Sequence, residues 1–351
     1  MISPPTHGTK PTIGWFGLDA PLELIEAAGR RAQRIAVLPG RPAPLAAVYG
    51  EGGGHPWMRA ALSALAEAGP QLERVVLTST PVLEMWLYNL LLSLQRRGEA
   101  SAFPVTDLLN ISHEDRPSSH RLNIDSLRGL AMRLAATDEA VRGAIAGRNA
   151  VRAMLREIDS LRFGAAPHLT GVQARWLMDR ADVMSAGAFL AETAPLLAAA
   201  KAAKTVPGIA VIYSGPGSAD LALYDALEAR GLRVVGDDAD YGSRAIGPDT
   251  DTVSDPIEAL ARRYRNRSPA PAGWPTLTRV AWLTEMAKAR GAKAVLFEMP
   301  GFLHPQAWDY PAEIAALAAL GVPSIEIPTG DPGQAAEAVL AQLSVQEPGH
   351  V

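Results

Sequence analysis

The chain has 351 residues, 48% of them hydrophobic and 20% charged, with 33 basic against 37 acidic side chains and a formal net charge of −4. At roughly 100–200 residues per domain this predicts two or three domains, and the charge balance argues against a nucleic-acid surface, which needs clustered Lys and Arg. It has no cysteine, which removes disulfides, thiolate nucleophiles, Cys-ligated zinc and an all-Cys iron–sulfur cluster together.

The chain opens on MISPPTHGTKPT, a Pro-rich tail without the charged-then-apolar pattern of a signal sequence. Thr12 to Phe16 predicts a strand ended by Gly17, and Pro21 opens the helix LELIEAAG, which Gly29 closes. A Gly-rich stretch precedes His55-Pro56-Trp57-Met58-Arg59-Ala60 and a further helix, after which the strand beginning at Val75 runs into Thr80-Pro81. From Asp107 to Leu197 the Gly and Pro punctuation thins, and apolar residues such as Val141, Ile145, Leu155 and Ile158 recur at helical spacing. Thr137 with Asp138 and Glu139 predicts one helix start inside that segment.

After Pro207 the strand GIAVIYSG breaks at Gly215-Pro216-Gly217-Ser218, and the helix ADLALYDALEARG follows. Next come the strand LRVVGDD, a helix from Asp255 to Tyr264, a Pro-rich crossing from Ser268 to Pro275 and a helix from Leu277 to Arg290. The strand Ala294 to Phe297 runs into the loop Met299 to Pro305, Trp308-Asp309-Tyr310 opens a helix, and GVPSIEIPTGDPGQ leads to the last one. This rhythm predicts an α/β fold with two doubly wound parallel-sheet units, Rossmann- or flavodoxin-like, at 1–106 and 205–351. A helical segment at 107–204 joins them. No apolar run reaches the roughly 20 residues that cross a bilayer, so a cytoplasmic protein with no membrane partner is expected.

Two turns invite a ligand. Ser214-Gly215-Pro216-Gly217-Ser218 lies where a phosphate loop would, yet Pro216 lacks an N–H and no G-K-[ST] or G-x-G-x-x-G follows, which favours a plain βα turn. Gly242-Ser243-Arg244 suits a thioester carbonyl or a phosphate through Ser243 and the guanidinium, or equally an Arg that ties the loop to Asp237 or Asp238. Asp309 in a helix first turn has a structural use already. A G-x-S-x-G elbow is absent, so a hydrolase triad has no sequence support.

Several of these pieces together resemble the 2-hydroxyacyl-CoA dehydratase and benzoyl-CoA reductase family, in order, from Pro11 to about Leu343. The run IGWFGLDAPLELIEAAG resembles the family's opening strand and helix. Asp237-Asp238-Ala239-Asp240-Tyr241-Gly242-Ser243-Arg244 resembles its D-D-x-C-x-G-S-R, DPIEALARRY its D-P-x-x-x-L-A-x-R-Y, and Ser268-Pro269-Ala270 stands near its C-P-C. The loop before Trp308-Asp309-Tyr310-Pro311 is similar to the family loop that carries a cluster cysteine followed by aspartate.

The resemblance implies paired subunits, a four-iron, four-sulfur cluster, and an activator-injected electron that drives water elimination from, or reduction of, an acyl-CoA thioester. At the implied cluster positions this chain has His55, Pro81 (after Thr80), Asp240, Leu303 and His304. Thiolates hold such clusters, so no cluster cofactor is expected here, and a mononuclear metal on His55, Asp240 and His304 is the weaker alternative to solvated loop residues. The implied substrate contacts are Ser214, Ser218, Ser243 and Arg244 on a CoA thioester. The expected function is a subunit of a dehydratase-type lyase or acyl-CoA reductase complex, dimeric with itself or with a cysteine-bearing paralogue. A non-catalytic structural or regulatory scaffold, or a repurposed metal-dependent enzyme, stand as alternatives.

Overall fold

The computed structural model of the chain describes residues 11–37, 56–80, 82–99, 103–217, 221–271, 274–299, 306–328 and 330–346. The first part contains β1 (Thr12–Phe16), α1 (Leu22–Ala27), β2 (Arg31–Arg34), α2 (Pro56–Ala68), β3 (Arg74–Thr78), α3 (Val82–Arg96) and β4 (Val105–Leu109). The helices α4 (Pro117–Leu134), α5 (Asp138–Ser160), α6 (Gly171–Ala181) and α7 (Ala186–Ala202) follow. The chain continues as β5 (Ile209–Gly215), α8 (Ala222–Glu228), β6 (Leu232–Ala239), α9 (Pro256–Arg265) and α10 (Thr276–Arg290). It ends with β7 (Ala294–Glu298), α11 (Gln306–Ala319), β8 (Ser324–Ile327) and α12 (Pro332–Gln346).

The strands form two parallel four-stranded sheets, ordered β2-β1-β3-β4 and β6-β5-β7-β8. This is the α/β architecture of two doubly wound units that the strand–helix rhythm predicts. β2 (RAQR) and β4 (VTDLL) carry too little apolar alternation to be read as strands, and both are sheet edges, where one side of the ladder is unpaired and charge is favoured.

The second sheet shows how the period-2 pattern builds a core on each face. Val211 and Tyr213 of β5 with Ala294 and Leu296 of β7 enter one cluster, closed by Tyr224 and Leu227 of α8 and Ala336 and Val339 of α12. Ile212, Val295 and Phe297 point the other way, onto Leu283 and Met286 of α10 and Leu317 of α11. In the first sheet Phe16, Val75 and Leu77 pack under Leu62 and Leu65 of α2 and Leu87 and Leu91 of α3.

The chain divides into two compact units that exchange segments. One holds Met1–Gly147, Asp182–Ser185 and Thr250–Arg265, the other Arg148–Ala181, Ala186–Asp249 and Asn266–Val351. Thus α4 belongs to the first unit and α6 and α7 to the second, while α9 reaches back from the second half of the chain into the first unit. Asp255 caps α9 by accepting the N–H groups of Ile257 and Glu258 at 3.0 Å each. Its last turn is anchored where the Tyr264 hydroxyl donates to Glu23 Oε2 at 2.6 Å, and Arg265 meets Asp115 at 2.7 Å.

Candidate functional site

In an open parallel sheet the ligand position is the carboxyl end of the strands where the order reverses, here between β5 and β7 in the second unit. Tyr213 and Glu298 meet at that point. The buried phenol donates to Glu298 Oε2 at 2.5 Å and accepts the Gly217 N–H at 3.3 Å. Burial first, and then the Glu298 charge, push the phenol well above its ordinary value, so it stays a donor across the physiological range.

The adjoining strand β6 ends in two buried acids that face opposite sides of the sheet. Asp237 Oδ2 accepts from Arg162 Nη1 at 2.9 Å, and Asp237 Oδ1 accepts the Ser243 N–H at 2.7 Å. Arg162 also donates to the Ser243 hydroxyl and to Asp159, which in turn pairs with Arg290 at 2.8 Å. Burial pushes the Asp237 carboxyl up, but Arg162 and Arg175 outweigh it and hold the group below the usual carboxylate range. The turn that delivers Ser243 needs glycine at 242, where φ is +81° and a Cβ would lie 2.5 Å from Asp237 Oδ1.

Asp238 faces the other way, into a second network. Its Oδ2 accepts from the Ser214 hydroxyl at 2.9 Å and from Arg279 Nη2 at 2.7 Å, and Ser214 accepts from Gln306 Nε2 at 2.8 Å. Arg279 Nη1 donates to Asp309 Oδ2 at 2.8 Å, and Asp309 Oδ1 takes a further bond of 2.5 Å from the Thr276 hydroxyl. Glu313, one turn along α11, places Oε1 2.9 Å from Arg279 Nη2. The strand ends of this unit are therefore floored by groups already bound to one another, a rigid polar surface rather than a set of free ligands.

Of the residues singled out in the sequence, Ser214, Asp240, Ser243 and Arg244 lie at these strand ends and all four are buried. Ser214 joins the Asp238 network and Ser243 the Asp237 network. Arg244 stacks its guanidinium 4.5 Å from the Trp274 ring centroid, and its carbonyl accepts from Arg267 Nε at 3.2 Å. Arg162 and Arg279, not Arg244, are the guanidinium groups whose hydrogen bonds hold the acid pair. Asp309, in the first turn of α11, is bound by Arg279 and Thr276, partners that its place in the helix did not predict. His55, Pro81, Ser218, Leu303 and His304 lie outside the described residues. Among the described residues, no group of three or more His, Cys, Asp or Glu is placed to hold a metal ion.

Sequence reasoning passed over Tyr213, Glu298, Arg162, Arg279, Gln306 and Glu313. Glu298 alone carried a local signal, a lone acid closing the apolar run AVLF. The first unit hides a comparable group at its own strand ends. His113 Nε2 lies 3.3 Å from the buried Asp19 Oδ2, and Nδ1 lies 3.3 Å from the Arg265 carbonyl oxygen. A carbonyl only accepts, so Nδ1 carries its hydrogen there.

Comparison with known proteins gives a concordant assignment. Residues 19–343 match the family model described as 2-hydroxyglutaryl-CoA dehydratase, D-component. A curated relative, the (R)-phenyllactyl-CoA dehydratase beta subunit of Clostridium sporogenes, is 27% identical over 214 residues, or 60% of this chain and 57% of that protein. The alignment thus spans little more than half the length of the curated relative. Among solved structures, a Zn(II)-bound AdcAII variant of Streptococcus pneumoniae aligns over 96% of each chain at 10% identity, with a TM-score of 0.19, too low to bear on the fold.

Proposed function

Because the chain belongs to the 2-hydroxyglutaryl-CoA dehydratase, D-component family, we propose that it is a subunit of a 2-hydroxyacyl-CoA dehydratase or benzoyl-CoA reductase-type complex that has lost its own cluster ligands. It binds or shapes an acyl-CoA site beside a cysteine-bearing partner subunit, and that partner carries the electron transfer. The observation behind this reading is the pairing of a family match over 19–343 with a complete lack of cysteine. A cluster needs soft thiolate donors, and this chain offers imidazole, carboxylate, proline and leucine at the positions the resemblance assigns to them. The donor set does not fit the group, so no step of the chemistry is assigned to a cluster held by this chain.

In this reading the chain contributes shape and polar contacts. Arg244, with Ser214, Ser218 and Ser243, supplies the thioester or phosphate contacts, and the buried bonds of Ser214 and Ser243 keep the strand ends rigid while the acyl-CoA docks. A scaffold that binds no acyl-CoA is the second reading, favoured by the burial of Ser214, Ser243 and Arg244 among the chain's own side chains.

Three measurements separate these. The chain produced anaerobically by itself is expected to be colourless and free of stoichiometric iron and sulfide, and a brown, iron-loaded preparation would sink the proposal. Coexpressed with a cysteine-bearing paralogue, it is expected to copurify as a defined complex. Calorimetry of that complex with a panel of acyl-CoAs is expected to show binding that Arg244→Ala weakens about tenfold or more, the scale of removing one hydrogen bond to a charged group. If no acyl-CoA binds, the scaffold reading takes its place.

A further inference from the structure

The α11 carboxyl of Glu313 presents a charge problem that the family reading does not touch. Three carboxylates, those of Asp238, Asp309 and Glu313, surround the single guanidinium of Arg279 at 2.7, 2.8 and 2.9 Å, and Asp238, Glu313 and Arg279 are fully or almost fully buried. If all were ionised, two negative charges would stand uncompensated in the interior of the unit, a costly arrangement.

The hydrogen bonds single out which acid gives way. Asp238 has a second donor in Ser214, and Asp309 has one in Thr276. Glu313 has neither. Among the described residues both of its oxygens lack a hydrogen-bond partner, because the 2.9 Å approach to Arg279 is an ion-pair distance without hydrogen-bond alignment. The ionisable groups around it are Arg279 from α10, Asp238 from β6, and Asp309 and Tyr310 on α11 itself. Glu326 on β8 adds a further negative charge next to Tyr310. The neighbourhood is acidic on balance.

We propose that α11 is docked by a proton: Glu313 carries a hydrogen when the helix is seated against Arg279 and Asp238, so that seating takes up one proton and weakens as pH rises. In agreement, burial first and then the neighbouring Asp238 and Asp309 push the carboxyl up to about 8, against the attraction of Arg279. The sign follows. A group that holds its proton longer when folded stabilises fully below its unfolded value, near 4.5. That contribution falls by up to about tenfold in equilibrium constant per pH unit until the folded group itself ionises, and is then level. The window is therefore mildly acid to mildly alkaline pH. Local opening of α11 is the process that reads it.

Hydrogen exchange on the whole chain, corrected for the intrinsic pH dependence of amide exchange, tests this. In the wild type, protection of α11 amides is expected to fall by up to about tenfold per pH unit from about pH 5 to about pH 8 and then level off. Glu313→Gln, which keeps the shape and removes the titration, is expected to flatten that profile. Infrared spectra of the wild type near neutral pH are expected to contain the carbonyl stretch of a buried neutral carboxylic acid, and this measurement stands even if the variant does not fold. Absence of that band, a pH-independent α11 in the wild type, or an unchanged slope in Glu313→Gln would each overturn the proposal.

Discussion

Asp237 is held by charge rather than by packing. Its side chain and that of Arg162 are fully buried, and Arg162 is its principal counter-charge, although Arg162 itself is shared with Asp159. Removing one partner of a buried pair leaves the other uncompensated, which typically costs about 3–5 kcal/mol. Asp237→Asn is therefore expected to lower the urea midpoint strongly, and a variant within about 1 kcal/mol of wild type would show that Asp159 alone satisfies Arg162. The pH dependence of this site runs opposite to that of Glu313. A carboxyl held below its ordinary value of 3.8 contributes stability that is present above that value and is lost as pH falls through the folded one. Acid unfolding of the wild type should accordingly report Asp237, and Asp237→Asn should lack that limb. The sequence placed Asp237 and Asp238 at a strand end but could not place their partners. Arg162 is 75 residues away, in the turn after α5, and Arg279 is 41 away on α10, and both reach the acids only when the sheet is assembled. One arginine among 33 basic side chains carries no mark of such a role.

At the scale of the element, backbone conformation decides two substitutions of opposite sign. Gly17, just after β1, has φ +87°, and a Cβ there would lie 2.0 Å from Thr78 Oγ1, the atom that accepts the Leu18 N–H at 3.0 Å. Gly17→Ala therefore combines a disfavoured φ with a clash and a broken turn, and a loss of roughly 2 kcal/mol or more is expected in thermal or urea unfolding. At the end of α4, Ala135 adopts φ 56° and ψ 36°, the left-handed cap conformation that glycine fills without strain. Ala135→Gly is expected to stabilise the protein by about 0.5–1 kcal/mol, and a lower melting temperature would refute that assignment of strain. Gly17 was legible as the end of a strand. The left-handed Ala135 was not, because alanine is the strongest helix former: the helix start at Thr137 implies that the preceding helix ends, but no glycine marks the residue on which it stops. Similarly, the apolar strands β1, β3, β5, β6 and β7 were readable from their runs, whereas the polar edge strands β2 and β4 become strands only through the neighbours they pair with.

The whole molecule repeats one sheet order twice, yet the chain does not divide at a single point between the repeats. The second half supplies Thr250–Arg265 to the first unit, so the sequence boundary near residue 204 leaves that unit without α9. The missing helix has specific attachments: the Tyr264 hydroxyl to Glu23, Arg128 to Asp255 at 3.3 Å, Arg142 Nη1 to the Ser254 carbonyl at 2.7 Å, and Arg265 to Asp115. Its apolar face, Ile257, Leu260 and Tyr264, is buried as well. Stripping it would expose apolar surface worth roughly 1.5–3 kcal/mol for each large side chain that loses its cover, and would leave the buried Glu23 without its phenol donor. Against a domain stability of about 5–15 kcal/mol, that loss is enough to unfold the remainder. A fragment of residues 1–204 is therefore expected to lack a cooperative melt by circular dichroism, although it contains the whole first sheet. Adding a peptide of residues 250–265 in trans is expected to restore part of the transition. A fragment that melts as sharply as the full chain would mean that α9 is an ornament of the first unit rather than a member of its core, and the unit boundaries would have to be drawn at the sequence break instead.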